Sequence, residues 1–187
     1  VWSDLTGRIN AFVRESPKNR HVHLDGSPYF DEPVLGVADG RDPLWQEYKE
    51  IIGEFHMTPL EVMAWAAEEW PETPNASLET LRVVGYALPI TERTRASNRV
   101  REKGPSRRWS HTRNYGEKFN DAVREFVAET IREMGYLAVA PMGTPMFKVV
   151  REGIPNPPAS NWSERHAIYV AGLGTFGLSD GFITPKG

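Results

Sequence analysis

The chain has 187 residues, 40% of them hydrophobic and 11% aromatic, with no cysteine and a net charge of −3 at neutral pH. That length builds one sizeable core, or one core with an appendage. The absence of cysteine excludes disulfides, thiolate nucleophiles and thiolate-held iron–sulfur clusters within these residues, and it fits a reducing compartment. The longest apolar runs, such as Val83 to Pro89, are too short to span a bilayer. No basic-then-apolar signal segment opens the chain, so the expectation is a cytoplasmic protein.

A first helix is expected from about Ser3 to Arg14, with Leu5, Ile9, Phe12 and Val13 on one face and Pro17 after its end. Val34 to Ala38 is a short apolar run that reads as a buried strand. Asp42-Pro43 then makes a helix start, and the helix carries Trp45, Tyr48, Ile51 and Ile52 before breaking at Gly53. Thr58-Pro59-Leu60-Glu61 is a capping box that opens a helix with Val62, Met63, Trp65 and Ala66. The acidic cluster Glu68, Glu69 and Glu72 reads as its exposed end.

Leu81 to Ile90 is the clearest strand, apolar enough to be central in a sheet. Thr91 to Arg113 reads as a basic loop, with eight basic side chains against two acidic ones. Its net charge of +6 leaves −9 for the rest of the chain. Glu117 to Met134 is a strong amphipathic helix stopped by Gly135. Tyr136 to Ala140 reads as a further strand, and Pro141 to Pro158 is loop-rich. A helix from about Trp162 to Ala171 leads into the glycine-rich Gly172 to Gly177, after which Gly181 to Gly187 reads as a strand and turn cut off mid-fold. Strands separated by helical connections imply an α+β (α/β) fold, a mixed sheet flanked by helices.

The segment Ala171-Gly-Leu-Gly-Thr-Phe-Gly177 holds the spacing G-x-G-x-x-G at Gly172, Gly174 and Gly177. A dinucleotide fingerprint needs a strand before it and a helix after it. Here the helix comes first, so that reading fails. Two others stand: a glycine helix stop with a tight turn, or bare backbone that lets a flat cofactor approach closely. No serine-hydrolase elbow, phosphate-binding loop or zinc-protease helix is present. His21-Val-His23 places two imidazoles on one side of an extended segment, where metal ligation competes with a plain surface role. Trp109, among Arg107, Arg108 and Arg113, could stack on a planar ligand or anchor the loop.

Asn161-Trp-Ser-Glu-Arg-His166 together with Ala171 to Gly177 resembles the Glu-Arg…Ala-Gly-Leu-Gly-x-x-Gly segment of epoxyqueuosine reductases and their iron–sulfur relatives. Glu79-Thr-Leu-Arg-Val-Val-Gly-Tyr-Ala-Leu-Pro89 is similar to that family's Thr-Leu-Arg-Val strand, and Arg113-Asn-Tyr115 to its Arg-Asp-Tyr segment. The resemblance covers residues 79–187; residues 1–78 form a helical N-terminal region expected to pack on that core. It implies a nitroreductase-like or cobalamin-reductase-like α/β fold that binds cobalamin, also found in reductive dehalogenases. It also implies a ferredoxin-like C-terminal domain, absent from this chain, whose two [4Fe–4S] clusters deliver electrons to the cobalt. The substrate would be a small molecule or a tRNA.

The cofactor-facing residues it implies are Arg113, Tyr115, Asn161, Ser163, Arg165, His166, Gly172, Leu173, Gly174, Thr175, Phe176 and Gly177. One position departs. Where the family carries Asp-Ser-x-Pro before its Glu-Arg, with the Asp as proton donor, this chain has Pro158, six residues before Glu164. No catalytic acid is assigned. Two other readings remain: a binding or electron-relay module that kept the scaffold, and RNA binding through Arg93 to Arg113.

Overall fold

The computed structural model describes residues 1–71 and 78–186; Glu72 lies outside them. In chain order the elements are α1 (Trp2–Glu15), β1 (Val34–Asp39), α2 (Leu44–Ile52), α3 (Pro59–Glu69), β2 (Arg82–Ala87), α4 (Glu92–Arg99), α5 (Arg107–Glu133), β3 (Val149–Val150), β4 (Ala159–Ser160), α6 (Glu164–Val170), β5 (Thr175–Phe176) and β6 (Phe182–Ile183). Two short 3₁₀ turns lie at Leu78–Thr80 and Pro141–Gly143. Helices with small antiparallel sheets make this an α+β chain. No described helix is long and apolar enough to cross a membrane.

The chain divides into two compact units. The first holds residues 1–34 and 87–127 with Lys186; the second holds residues 35–86 and 128–185.

In the first unit, α1 buries Leu5, Ile9 and Val13, the expected i, i+4 face. Phe12 stacks on Phe126 of α5, ring centroids 4.1 Å apart, and Phe119 and Val123 of α5 are fully buried. The turn-rich segment after α1 is pinned by Asn19. Its buried amide donates to the carbonyls of Val13 and Phe30 (both 3.0 Å) and accepts the amides of Tyr29 (3.1 Å) and Phe30 (3.0 Å).

The basic stretch is a loop only over residues 100–106; its two ends, residues 92–99 and 107–113, are helical. Thr91 opens α4, where Glu92 pairs with Arg95 (2.9 Å) and Arg99 (3.4 Å), so one carboxylate offsets two of the arginines on the helix. The helix ends at Arg99, and Gly104, with φ +65°, turns the chain in the loop before the next helix. Ser106 then caps α5, its Oγ accepting the Trp109 amide at 3.1 Å. The long helix therefore starts at Arg107, ten residues before the expected Glu117, because a serine after Gly-Pro supplies the cap.

The second unit is built on β1 paired with β2. Its core joins Ala38, Trp45, Tyr48, Val62, Met146, Trp162 and Ala167, with Trp45 stacked on Trp162 at 6.0 Å. Asp42 Oδ1 accepts the Leu44 amide (3.0 Å) to start α2. The capping box of α3 forms as expected: Thr58 Oγ1 accepts the Glu61 amide (3.3 Å) and Glu61 Oε2 accepts the Thr58 amide (2.7 Å). The helix from Trp162 is shorter than expected and begins at Glu164, after the Ser163 cap.

Two strand expectations fail. Instead of one mixed sheet, the described residues form three two-stranded sheets, so β2 is not a central strand. Its apolar character serves helix packing: a side chain at Gly85 would meet Ile168 of α6 at 3.0 Å. Tyr136 to Ala140 forms no strand. Arg132 Nε donates to the Ala138 carbonyl (2.9 Å), so a side chain takes an acceptor that a strand partner would use.

Candidate functional site

The N-terminus of α6 is organised by Ser163 and His166. Ser163 Oγ accepts the His166 backbone amide (3.4 Å) and lies 2.7 Å from His166 Nδ1. A hydroxyl with one proton and two lone pairs can give its proton to Nδ1 or accept one from it, so the contact orients the ring in either neutral tautomer. The His166 ring packs edge-on against Tyr48 of α2 (4.7 Å between centroids) and against Phe176 of β5 (5.0 Å), with His56 at 6.3 Å.

Burial dominates the electrostatics of this cluster. It lowers the pKa of both His166 and His56, and each imidazole is neutral at neutral pH. The positive charge that His56 or Arg165 would bring near His166 acts in the same direction. Burial also pushes the Tyr48 phenol up to about 12, so it keeps its proton. His56 Nδ1 faces the Ser160 carbonyl at 3.3 Å. The Tyr48 hydroxyl is buried and has no hydrogen-bond partner among the described residues.

The glycine-rich segment is a helix stop followed by a hairpin. Gly172 takes φ +71°, its amide bonds to Tyr169 O (2.9 Å) and the Leu173 amide to Ile168 O (3.0 Å), closing α6 as a Schellman motif. Leu173 is buried and packs on β1, where a side chain at Gly36 would collide with Leu173 Cδ2 at 2.7 Å. Thr175 pairs with Ile183 and Phe176 with Phe182, and Gly177 donates to Gly181 O (2.8 Å) across the turn. The space a side chain at Gly174 would take is filled by the Ile183 carbonyl oxygen, 2.0 Å from the ideal Cβ. That glycine serves the hairpin's own close packing.

The remaining expected residues divide between structural and open positions. Asn161 is buried and fully engaged, donating to Met146 O (2.9 Å) and accepting the Lys148 amide (2.8 Å). Arg165 is half exposed and pairs with Asp180 Oδ2 at 2.7 Å. Arg113 and Tyr115 lie on α5 in the first unit. Arg113 is exposed beside Glu117 at 3.9 Å; Tyr115 packs near His23 (5.2 Å) and His111 (5.5 Å).

A corrinoid is broad and flat and carries peripheral amides, so it needs open backbone and free polar groups at a surface. Gly172 has no neighbour within 4 Å of where a Cβ would stand, Thr175 is exposed, and Tyr169 and Arg165 lie one turn apart on α6. Those residues fit contact with such a group. Asn161 is buried, and Ser163 and Gly174 are taken up in the helix cap and the hairpin's own packing.

His21 and His23 do not face one way. His21 is fully buried and His23 exposed, because the chain there turns instead of running extended. No metal-holding group of His, Asp or Glu occurs among the described residues. Asp25 instead binds Arg108 and Arg93, the latter at 2.7 Å. The Ser27 hydroxyl and Arg108 hold its carboxyl well below the usual range. Trp109 is half-buried on the first turn of α5. A groove of about 260 Å³ in the first unit, lined by Val13, Arg14, Asn19, Arg20, Phe30 and Glu32 among others, contains none of the expected site residues.

Tyr48 and His56 are the site residues that the sequence did not single out. Tyr48 reads as one more apolar position of α2, and His56 sits in a turn with no motif around it. Comparison with family models, curated proteins and solved structures finds no match for this chain.

Proposed function

We propose that this chain is the corrinoid-type part of a cytoplasmic iron–sulfur oxidoreductase similar to epoxyqueuosine reductases, with a nitroreductase-like scaffold. The observation that carries the reading is the segment Asn161 to Gly177. Its resemblance to the family coincides with a surface where Arg165, Tyr169, Gly172 and Thr175 are open next to a neutral imidazole–phenol cluster. When bound, a corrinoid supplies a reducible cobalt. The chain's own residues supply a flat backbone approach at Gly172, polar contacts from Arg165 and Thr175, and a His166 ring oriented by Ser163. Electrons would come from a ferredoxin-like [4Fe–4S] domain, and the substrate would be a small molecule or a tRNA.

The test is to prepare the intact protein anaerobically, reconstitute it with iron, and offer it cobalamin. Retention of a corrinoid spectrum after desalting is expected; a colourless protein fraction overturns the reading.

The Pro-rich run ending at Pro158, where the family places its acid, favours a second reading in which the same scaffold binds or relays electrons without turnover. Turnover of any reducible substrate by the intact protein decides against it. The exposed Arg93, Arg99, Arg101 and Arg107 of the α4–α5 region favour a third, RNA binding, which predicts affinity that falls steeply with salt. Affinity independent of salt decides against that one.

A further inference from the structure

Of residues 21–27, only His21 is buried, and it is 0% exposed. Its ring lies edge-on to Tyr29, 4.2 Å between centroids, and its Nε2 faces Thr112 Oγ1 of α5 at 3.4 Å. Its Nδ1 is buried with no hydrogen-bond partner among the described residues. The same residue closes the segment through its backbone. Its amide donates to Ser27 O (2.8 Å), and its carbonyl accepts the amides of Leu24 (2.9 Å) and Gly26 (3.1 Å). Two further contacts hold the segment to the helices. Asp25 binds Arg108 of α5 and Arg93 of α4, and the His23 ring rests near those of His111 (6.1 Å) and Tyr115 (5.2 Å). The flanks are anchored independently, because the Asn19 side chain joins the end of α1 to Tyr29 and Phe30.

We propose that residues 21–27 are a latch on α5 that opens locally when His21 takes up a proton, uncovering His111 and Tyr115 while the helices stay packed. A protonated ring in the closed latch puts a buried charge and an Nδ1–H without an acceptor in one place. The groups that face it do not offset that charge. Arg108 and His111 of α5 and Arg93 of α4 act against it, and the Asp25 carboxylate that favours it is already shared by Arg108, Arg93 and Ser27. Tyr29, whose pKa burial raises, faces it as a neutral ring. Burial, then the Arg108 charge, lower the His21 pKa from 6.5 to about 4. Once the segment swings out, water solvates the imidazolium, so proton uptake favours the open form. The opening is local, because no other side chain of the segment is buried and Asn19 fixes both flanks. It uses contacts of the first unit alone and does not depend on the redox reading.

The test is amide hydrogen exchange of the 187-residue chain, followed by NMR at about pH 7.5 and 5, with each rate corrected for its intrinsic pH dependence. The reporters are Leu24 and Gly26, whose amides bond to His21 O, and Val123, buried in α5. With a pKa of about 4 in the closed latch and 6.5 in the open one, protection of Leu24 and Gly26 is expected to fall roughly 25-fold between the two values. Low urea is expected to leave their exchange unchanged while accelerating that of Val123, because local opening exposes little surface. In His21→Asn the fall with pH is expected to disappear. In Asp25→Asn, which keeps His21 in place, protection of Leu24 and Gly26 at neutral pH is expected to drop about tenfold as the charged bonds to Arg108 and Arg93 are lost. Protection independent of pH, a urea dependence equal to that of Val123, or unchanged protection in Asp25→Asn overturns the proposal. The parent and the Asp25 variant carry the test even where His21→Asn fails to fold.

Discussion

Ser163 Oγ lies 2.7 Å from His166 Nδ1 and also accepts the His166 backbone amide, so one hydroxyl both caps α6 and fixes an imidazole. Replacing it separates the two effects. Ser163→Ala is expected to cost about 1 kcal/mol through the lost cap. It also removes the partner of His166 Nδ1. Urea unfolding reads the first and imidazole ¹⁵N shifts the second. An unchanged Nδ1 shift would contradict the Ser163 contact.

The glycine-rich turn makes a sharper stability prediction. At Gly174 a methyl group meets the Ile183 carbonyl oxygen, a backbone atom that cannot swing aside. Gly174→Ala is expected to cost about 2 kcal/mol or more by forcing β5 and β6 apart. Gly172→Ala meets open space and is expected to cost about 1–2 kcal/mol for its left-handed backbone alone. Denaturant unfolding of the two variants ranks them, and the reverse order would contradict the packing described.

Much of this was legible in the sequence. The Thr58-Pro-Leu-Glu box, the apolar face of α1 and the glycine stop after Ala171 depend on neighbours within a few residues, and all three form. What was not legible depends on distant partners. Tyr136 to Ala140 has strand composition, yet Arg132 occupies the Ala138 carbonyl. The basic stretch looks like a loop because charge hides its period, while Ser106 and Glu92 supply the cap and pairing that make its two ends helical. The candidate site divides in the same way. The α6 motif was visible, but its meeting with Tyr48 and His56, over a hundred positions away in sequence, is a property of the packed unit.

Asn19 predicts a large local effect. Its side chain makes four hydrogen bonds to backbone groups of Val13, Tyr29 and Phe30. Asn19→Ala leaves buried backbone groups unpaired, and a loss on the order of 3 kcal/mol is expected. Hydrogen exchange of the Tyr29 and Phe30 amides checks the mechanism: both are expected to lose protection, and retained protection would contradict it.

Acid sensitivity has a defined sign. Burial, and then the Arg108 charge, lower the His21 pKa from its ordinary value of 6.5 to about 4, and burial lowers His56 and His166 in the same sense. As pH falls below 6.5 the unfolded chain takes up protons that the folded one refuses. Stability is therefore full above about pH 6.5 and declines toward pH 4, with a slope of at most roughly 1.4 kcal/mol per unit per histidine. Urea unfolding at pH 7.5, 6 and 5 measures it, with a shallower slope expected in His21→Asn. Equal stability at the three values would contradict the buried neutral state.

The most direct test of the redox reading compares corrinoid retention by the intact, iron-reconstituted protein with that of its Thr175→Trp variant. Thr175 is exposed beside the open backbone of Gly172, so a bulky ring there obstructs the surface without straining the hairpin. The account predicts that the parent retains a corrinoid after desalting and that the variant retains at most a tenth as much. A parent that retains none, or a variant that retains as much as the parent, would contradict it.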